Sequence, residues 1–239
     1  MRHTLAALLA VASLTSAAAA QTEPASTAAP AQATPPAQSE IGAAVAKDMD
    51  AMMTLYRDLH ANPELSLKEV NPAAKLAKRL KALKYDVTEK VGGTGVVAVM
   101  KNGAGPTLLI RADMDALPMP EHTGLPYQST VPGKMHACGH DGHTAMLLGA
   151  AQYLAETRNF KGTVQFIFQP AEEMAGGGRV MVEEGLFDQF PVDAVYGMHN
   201  WPNMPAGRMS IRAGLGMASA AAFEIIVEGL GSHAAAPHQ

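Results

Sequence analysis

The chain has little of several residue types that define common protein classes. It has one cysteine and one tryptophan among 239 residues, and 18 Lys and Arg against 22 Asp and Glu. A single thiol excludes an intramolecular disulfide framework within this chain. The net charge of −4 and the aromatic content of 5% argue against nucleic-acid binding, which uses basic patches and stacking side chains. The hydrophobic content of 48% instead fits a globular protein with one sizeable core and part of another.

The amino terminus has the pattern of a secretory signal peptide over residues 1–20. Arg2 precedes a short apolar run, and alanines at 18–20 form a small-residue cleavage site. The run is shorter than the roughly 20 residues of a transmembrane helix. Residues 21–40 are rich in Pro, Ala, Thr and Gln, a composition typical of a disordered linker. We therefore expect an exported protein, periplasmic or secreted in a bacterium, with no membrane attachment after cleavage.

The remaining sequence alternates between helical and strand periodicity. Helices are predicted at 41–60, 71–83, 142–156 and 176–182, and strands at 86–91, 95–101, 107–112, 164–168 and 193–198. The continuously apolar run at 108–110 predicts a central strand buried on both faces. This order of elements predicts a three-layer α/β/α domain over 41–213. Two further strand patterns, at 208–212 and 218–228, indicate that a smaller α+β domain begins at residue 214 and occupies 214–239.

Metal-ligand side chains are concentrated at positions 135–143. This stretch holds Cys138 and three histidines, with glycines that permit close approach. Thiolate and neutral imidazole are preferred ligands of zinc and similar ions, and Cys138 and His140 present both from one loop. Taken alone, Cys138 is better explained as a buried small apolar residue, but the flanking His136, His140 and His143 reverse that preference in favour of a metal ligand. Local hydrogen bonds or a helix cap would explain His136 and His143 without a metal.

Polar side chains also follow the other predicted strands. Asp113 follows the third strand, Glu172 and Glu173 follow the fourth, and His199 ends the fifth. Since the carboxyl ends of strands in an open α/β sheet share one edge, we expect these side chains to meet there. Of two adjacent carboxylates beside a metal, one can coordinate the ion while the other accepts a proton. His199 alone could be a satisfied polar residue; Asp113 could be a ligand, but we favour its orienting a ligating imidazole.

Several ordered segments resemble the aminoacylase/carboxypeptidase metallopeptidases, and within them the amidohydrolase branch that includes hippurate hydrolases and indole-acetyl-amino-acid hydrolases. The segments are Arg111–Pro118, Met135–His143, Gln169–Glu173, Gly197–His199 and Gly231–His238, and Arg57–Leu65 is similar to the opening motif of that branch. The resemblance extends from Ile41 to the last residue. Five motifs in the same order make it specific.

The resemblance implies a catalytic domain that holds two divalent ions, of Zn, Mn, Co or Ni, and is interrupted by a smaller domain that forms a homodimer. The metal ligands implied by position are Cys138, His140, Glu173 and His199. Glu172 would be the general base, and Asp113 would lie near the metals. His233 matches a histidine that, in relatives, reaches the partner subunit's site and stabilises the tetrahedral oxyanion.

The expected function is hydrolysis of the amide bond of an N-acyl amino acid or a short peptide-like substrate. Family members continue beyond residue 239 and add one more histidine ligand, so we expect a truncated chain that carries most of the site without closing it. Two other functions stay open: a noncatalytic exported metal-binding protein, and a thiol hydrolase that uses Cys138 with a histidine. His140 is only two residues away, whereas such bases usually come from remote sequence.

Overall fold

A computed structural model describes residues 39–174, 176–216, 225–226, 231, 233 and 235–236. The chain divides into two units, 1–49 and 50–239. Residues 39–49 begin helix α1, and Ser39 Oγ accepts a hydrogen bond from the Gly42 N–H at 2.9 Å. The predicted signal peptide and residues 21–38 of the predicted linker lie outside the described residues. Glu40, the last residue of that predicted linker, already belongs to α1.

The described elements match the predicted order of helices and strands. They are α1 (Glu40–Ala61), α2 (Val70–Ala82), β1 (Asp86–Val91), β2 (Gly95–Asn102), β3 (Thr107–Asp113), α3 (His140–Thr157), β4 (Gly162–Gln169), α4 (Gly177–Glu183), α5 (Leu186–Gln189) and β5 (Ala194–Gly197). The short helix α5 was not predicted. In the described ranges, no helix combines the length and apolar character that a membrane crossing requires.

The five strands form one mixed sheet in the order β1-β2-β4-β3-β5. Strand β2 runs antiparallel to β1 and β4, whereas β3 is parallel to both β4 and β5. Strand β3 lies inside the sheet between β4 and β5, as predicted for a central strand, although β4 is the middle strand. Its predicted burial on both faces is only partial, because Leu109 is buried whereas Leu108 and Ile110 are half-buried. The three parallel strands place their carboxyl ends at the same edge of the sheet.

Alternation along the strands produces a separate apolar layer on each face of the sheet. Val96, Ala98 and Phe166 point to one face and belong to a core shared with α1, α2 and α3. Val97 and Ile167 point to the other face and pack with α4 and α5. Each fully buried large apolar side chain contributes about 1.5–3 kcal/mol. The helices on both faces confirm the predicted three-layer α/β/α class.

The long loop 114–139 is anchored to the end of α1 by a buried histidine. His60 Nδ1 lies 2.6 Å from Asp141 Oδ2, and His60 Nε2 lies 3.1 Å from Glu121 Oε1. The Tyr127 ring packs edge-on against the His60 ring at 5.4 Å. Burial opposes a charge on the imidazole, but the two carboxylates raise the pKa of His60 above its ordinary value. His60 thus joins the end of α1 to the loop through Glu121 and to α3 through Asp141.

The predicted strand at 208–212 is wrong. These residues have no strand assignment, and Met209 and Ile211 are 88% and 97% exposed. An alternating pattern forms a strand only where a partner supplies backbone hydrogen bonds, and 208–212 pairs with none of the described strands. The predicted strand at 218–228 lies outside the described residues except for 225–226. The boundary between domains at 213 and 214 stays a prediction.

Candidate metal centre

The parallel strands deliver polar side chains to the edge where their carboxyl ends meet. Asp113 is the last residue of β3 and is paired in register with Gln169, the last residue of β4. Glu172 and Glu173 follow β4, and His199 follows β5 by two residues. The register of the sheet therefore brings these residues together, as the sequence predicted.

His140 lies at the centre of this group and has no exposed surface. It is the first residue of α3 rather than part of the preceding loop, because Gly139 takes a φ of 102° that starts the helix there. Among the described residues, three groups bring ligand atoms within 4.8 Å of one another, and all three include His140. The groups are Cys138 with His140 and His199, Asp113 with His140 and His143, and His140 with Glu172 and Glu173.

Buried polar atoms without hydrogen-bond partners converge around His140. Both of its ring nitrogens lack a hydrogen bond, as do Glu173 Oε1 and Asp113 Oδ2. His140 Nε2 lies 3.5 Å from Asp113 Oδ2 and 3.7 Å from Glu173 Oε1. His140 Nδ1 lies 3.3 Å from Asp115 Oδ1, and Asp113 Oδ2 lies 2.8 Å from Arg111 Nη1, so these two atoms have charged neighbours. An unsatisfied buried polar atom costs about 1–3 kcal/mol, so His140 Nε2 and Glu173 Oε1 together indicate a missing partner. Imidazole nitrogens and carboxylate oxygens fit a divalent cation.

Asp115 organises the site, although no separate role was predicted for this residue. Its carboxylate is 1% exposed and accepts hydrogen bonds from the N–H groups of Glu172 at 2.9 Å and Glu173 at 3.0 Å. The Ser66 hydroxyl donates to it at 2.6 Å, and His140 Nδ1 lies 3.3 Å away. Burial opposes the charge, but His140, Ser66 and the two amides outweigh it and lower the pKa of Asp115 to about 2.

Asp113 contacts several side chains of the site. Its Oδ1 lies 2.7 Å from His143 Nδ1, and its Oδ2 forms an ion pair with Arg111 Nη1 at 2.8 Å that lacks hydrogen-bond geometry. Burial opposes ionisation, but His143 and Arg111 lower the pKa of Asp113. The Asn200 N–H donates to His143 Nε2 at 3.0 Å. Asp113 therefore fixes His143 and, through it, the backbone beside His199.

Cys138 and His199 face each other across the site. The Cys138 Sγ lies 3.3 Å from His199 Nε2, and His199 Nδ1 donates to the Asn200 carbonyl at 2.5 Å. The contact through Nδ1 orients the ring so that Nε2 faces the thiol. Burial and the nearby Glu173 carboxylate raise the pKa of Cys138 to about 12. An imidazole nitrogen and a cysteine sulfur side by side form a donor pair that suits zinc and similar ions.

Glu172 and Glu173 have different surroundings although they are adjacent. The Glu172 side chain is 43% exposed and that of Glu173 is 15% exposed. Burial raises the pKa of Glu173, and the carboxylates of Glu172 and Asp115 raise it further. The site thus gathers negative charge around a buried imidazole, which favours a cation.

His233 is the predicted site residue that belongs to none of the three groups. It is exposed, and its Nδ1 accepts a hydrogen bond from the Ala235 N–H at 3.2 Å. Its predicted role involves a partner subunit and stays a prediction.

The role of Asp115 and the contact of His143 with Asp113 were not predicted, because both depend on positions that are 30 or more residues apart. The available signal was the pair of acidic residues flanking Met114 at the end of a strand.

Comparisons with known proteins agree with this geometry. The family model "Peptidase family M20/M25/M40" matches residues 109–238. A protein named hippurate hydrolase from Campylobacter jejuni is 47% identical over 77% of this chain and 48% of that protein. A protein named N-acetylcysteine deacetylase from Bacillus subtilis is 45% identical over 78% of this chain and 50% of that protein. The chain therefore spans about half the length of the curated relatives it matches.

A solved structure also shares the fold. The crystal structure of a Bacillus subtilis protein, described as a dinuclear metal binding peptidase from the M20 family, has a TM-score of 0.63 and 44% identity. The match covers 67% of this chain and 45% of that one. Fold and donor set together define an α/β domain of the metallopeptidase type. The chain belongs to peptidase family M20/M25/M40, in the amidohydrolase branch named by its relatives.

Proposed function

We propose that this protein is part of a metal-dependent hydrolase that cleaves the amide bond of N-acyl amino acids or short peptide-like substrates. The observation that carries the proposal is the convergence of unpartnered buried nitrogen and oxygen atoms on His140. The names of relatives add the substrate class, since they include a hippurate hydrolase and an N-acetylcysteine deacetylase.

We propose that the site holds two divalent ions, of Zn, Mn, Co or Ni, and all three groups of candidate ligand atoms contain His140. The proposed ligands are Cys138, His140, Glu173 and His199. Bound divalent ions supply Lewis acidity toward an amide carbonyl and lower the pKa of water. The position of His199 Nε2 beside Cys138 Sγ and the buried, unpartnered Oε1 of Glu173 support their roles as ligands. Asp113 would orient His143 beside the ions rather than bind them.

Glu172 is the proposed general base. Its carboxylate is the more exposed of the pair, so it can face a substrate, while its N–H is held by Asp115. Glu172 takes a proton from the attacking water and returns it to the leaving amine nitrogen. The resemblance assigns the stabilisation of the oxyanion to His233 of the partner in a homodimer. Export to the periplasm or medium, with cleavage after Ala20, belongs to the same proposal.

A Glu172→Gln substitution tests the role of the base. Zn²⁺ or Mn²⁺ binding by calorimetry should be preserved, because the proposed ligands are unchanged. Hydrolysis of hippurate or N-acetylcysteine should fall by about 10²–10⁴-fold. Glu183→Gln, on the exposed face of α4, is the matched control and should keep full activity. Turnover by Glu172→Gln within a few fold of wild type would remove Glu172 from this role.

A thiol hydrolase is the second candidate, favoured by the 3.3 Å contact between Cys138 and His199. The base then comes from a position 61 residues away, which removes the objection that His140 is too near in sequence. The raised pKa of the thiol works against a nucleophilic thiolate. Chelation followed by metal add-back distinguishes the metal-dependent hydrolase from the thiol hydrolase. Hydrolysis that is lost on chelation and recovered on add-back supports the metal-dependent enzyme. Hydrolysis that chelation does not change but iodoacetamide abolishes supports the thiol hydrolase.

A further inference from the structure

Glu69 is a carboxylate with no exposed surface, at a position where a polar side chain usually caps a helix. It is the residue preceding α2, yet its side chain makes no capping hydrogen bond. Glu64 supplies the acceptor instead, since its Oε2 receives the Asn71 N–H at 2.9 Å. The Glu69 carboxylate therefore makes its hydrogen bonds with groups outside α2.

Both oxygens of Glu69 accept hydrogen bonds from groups remote in sequence. Oε1 accepts from the Ala171 N–H at 2.8 Å, and Oε2 accepts from the Thr94 hydroxyl, in the turn between β1 and β2, at 2.5 Å. A buried carboxylate is costly unless hydrogen bonds compensate for lost solvation. The two donors provide that compensation, so Glu69 joins α2, the β1–β2 turn and the segment after β4.

The segment that receives this contact carries the two glutamates of the site. Ala171 is fully buried and has a φ of 53°, a left-handed conformation that is unfavourable for a residue with a side chain. Its N–H donates to Glu69, and the next two N–H groups, of Glu172 and Glu173, donate to the two oxygens of Asp115. Three consecutive amides are thus held by two buried carboxylates. Strained backbone of this kind persists where its surroundings over-determine it.

We propose that Glu69 is a positioning residue that holds Ala171 in the left-handed conformation and thereby sets the directions of Glu172 and Glu173. The consequence for catalysis rests on the proposed function, whereas the backbone restraint does not. Glu69 belongs to none of the three ligand groups around His140; it acts through the Ala171 amide. A backbone that is fixed before the metal or substrate binds keeps Glu172, the proposed base, and Glu173, the proposed ligand, pointing in their different directions.

Amide hydrogen exchange in the 239-residue chain tests the restraint directly. In Glu69→Ala, exchange at Ala171, Glu172 and Glu173 should accelerate about tenfold or more, the factor expected for losing a hydrogen bond to a charged acceptor. Glu69→Gln retains one acceptor oxygen and should give a smaller increase. The matched control is Glu64→Gln, which alters the start of α2 without touching the segment after β4 and should leave these three amides unchanged.

Zinc titration of the same variants provides the second readout. The affinity of Glu69→Ala for Zn²⁺ should fall by about tenfold, with Glu69→Gln restoring part of the loss. Unchanged exchange at the three amides in a folded Glu69→Ala protein would overturn the proposal. If that variant does not fold, Glu69→Gln and Thr94→Val replace it, and unchanged exchange in both overturns it equally. Absence of Zn²⁺ binding by the wild type would instead remove the proposed function, while the exchange result would still decide the restraint.

Discussion

Replacement of Asp115 by asparagine removes charge at the point where the site is held together. The carboxylate accepts three hydrogen bonds, from the amides of Glu172 and Glu173 and from the Ser66 hydroxyl. An asparagine of the same shape keeps one acceptor oxygen and turns an amide donor toward a backbone N–H. Loss of one hydrogen bond to a charged group costs about 1.5–3 kcal/mol. The lowered pKa of Asp115, which these same hydrogen bonds help to cause, expresses their strength in a second way.

The pKa of Asp115 falls from 3.8 to about 2 on folding, which corresponds to about 2 kcal/mol. Because the folded pKa lies below the unfolded one, this stabilisation is fully present above about pH 5 and is lost as pH falls toward 2. Both routes therefore predict that Asp115→Asn lowers the free energy of unfolding by about 2–3 kcal/mol at neutral pH. The difference from wild type should shrink below about pH 4.

The assay is urea unfolding followed by circular dichroism, from about pH 7 to pH 3. Asp58→Asn is the matched control, because Asp58 is 42% exposed and contacts Lys75 at 2.5 Å and the exposed Asn62 side-chain amide at 3.2 Å. Such a surface pair is worth about 0–1 kcal/mol. A loss below about 0.5 kcal/mol in Asp115→Asn, or a loss that does not change with pH, would refute the reasoning.

Three further predictions address the core, a close backbone approach and the loop anchor. Phe166→Ala should destabilise the protein by about 3–5 kcal/mol in urea unfolding, since Phe166 has no exposed surface, whereas Phe187→Ala, at a 41% exposed position, should cost about 0.5 kcal/mol or less. Gly177→Ala should cost about 1–3 kcal/mol, because a Cβ there would overlap the Pro170 carbonyl oxygen; a thermal melt unchanged from wild type would contradict this. The raised pKa of His60 makes its stabilisation fully present below about pH 6.5 and lost as pH rises through the folded pKa. His60→Gln should therefore flatten the stability profile in this range, and identical profiles would contradict the anchor.

Much of the fold could be predicted because local patterns were consistent with the final structure. The apolar runs that became β2, β3 and β4 alternate or are continuous in the way that strands of a covered sheet require. The helix over α3 was predicted two residues late, since the left-handed Gly139 lets it begin at His140. The strand prediction at 208–212 was wrong because alternating periodicity does not reveal whether a neighbouring strand exists to pair with it.

The sequence by itself determined the chemistry available at the site: a thiol, imidazoles and carboxylates placed where apolar strands end. Only the tertiary structure decided which strand is central, since strand order depends on pairing between distant segments. It also decided the roles of Asp115 and Glu69, whose partners lie 57 and 102 residues away. Residue type and spacing specify what a side chain can do, whereas the partner of a buried carboxylate is set by packing that brings remote backbone amides within hydrogen-bonding distance.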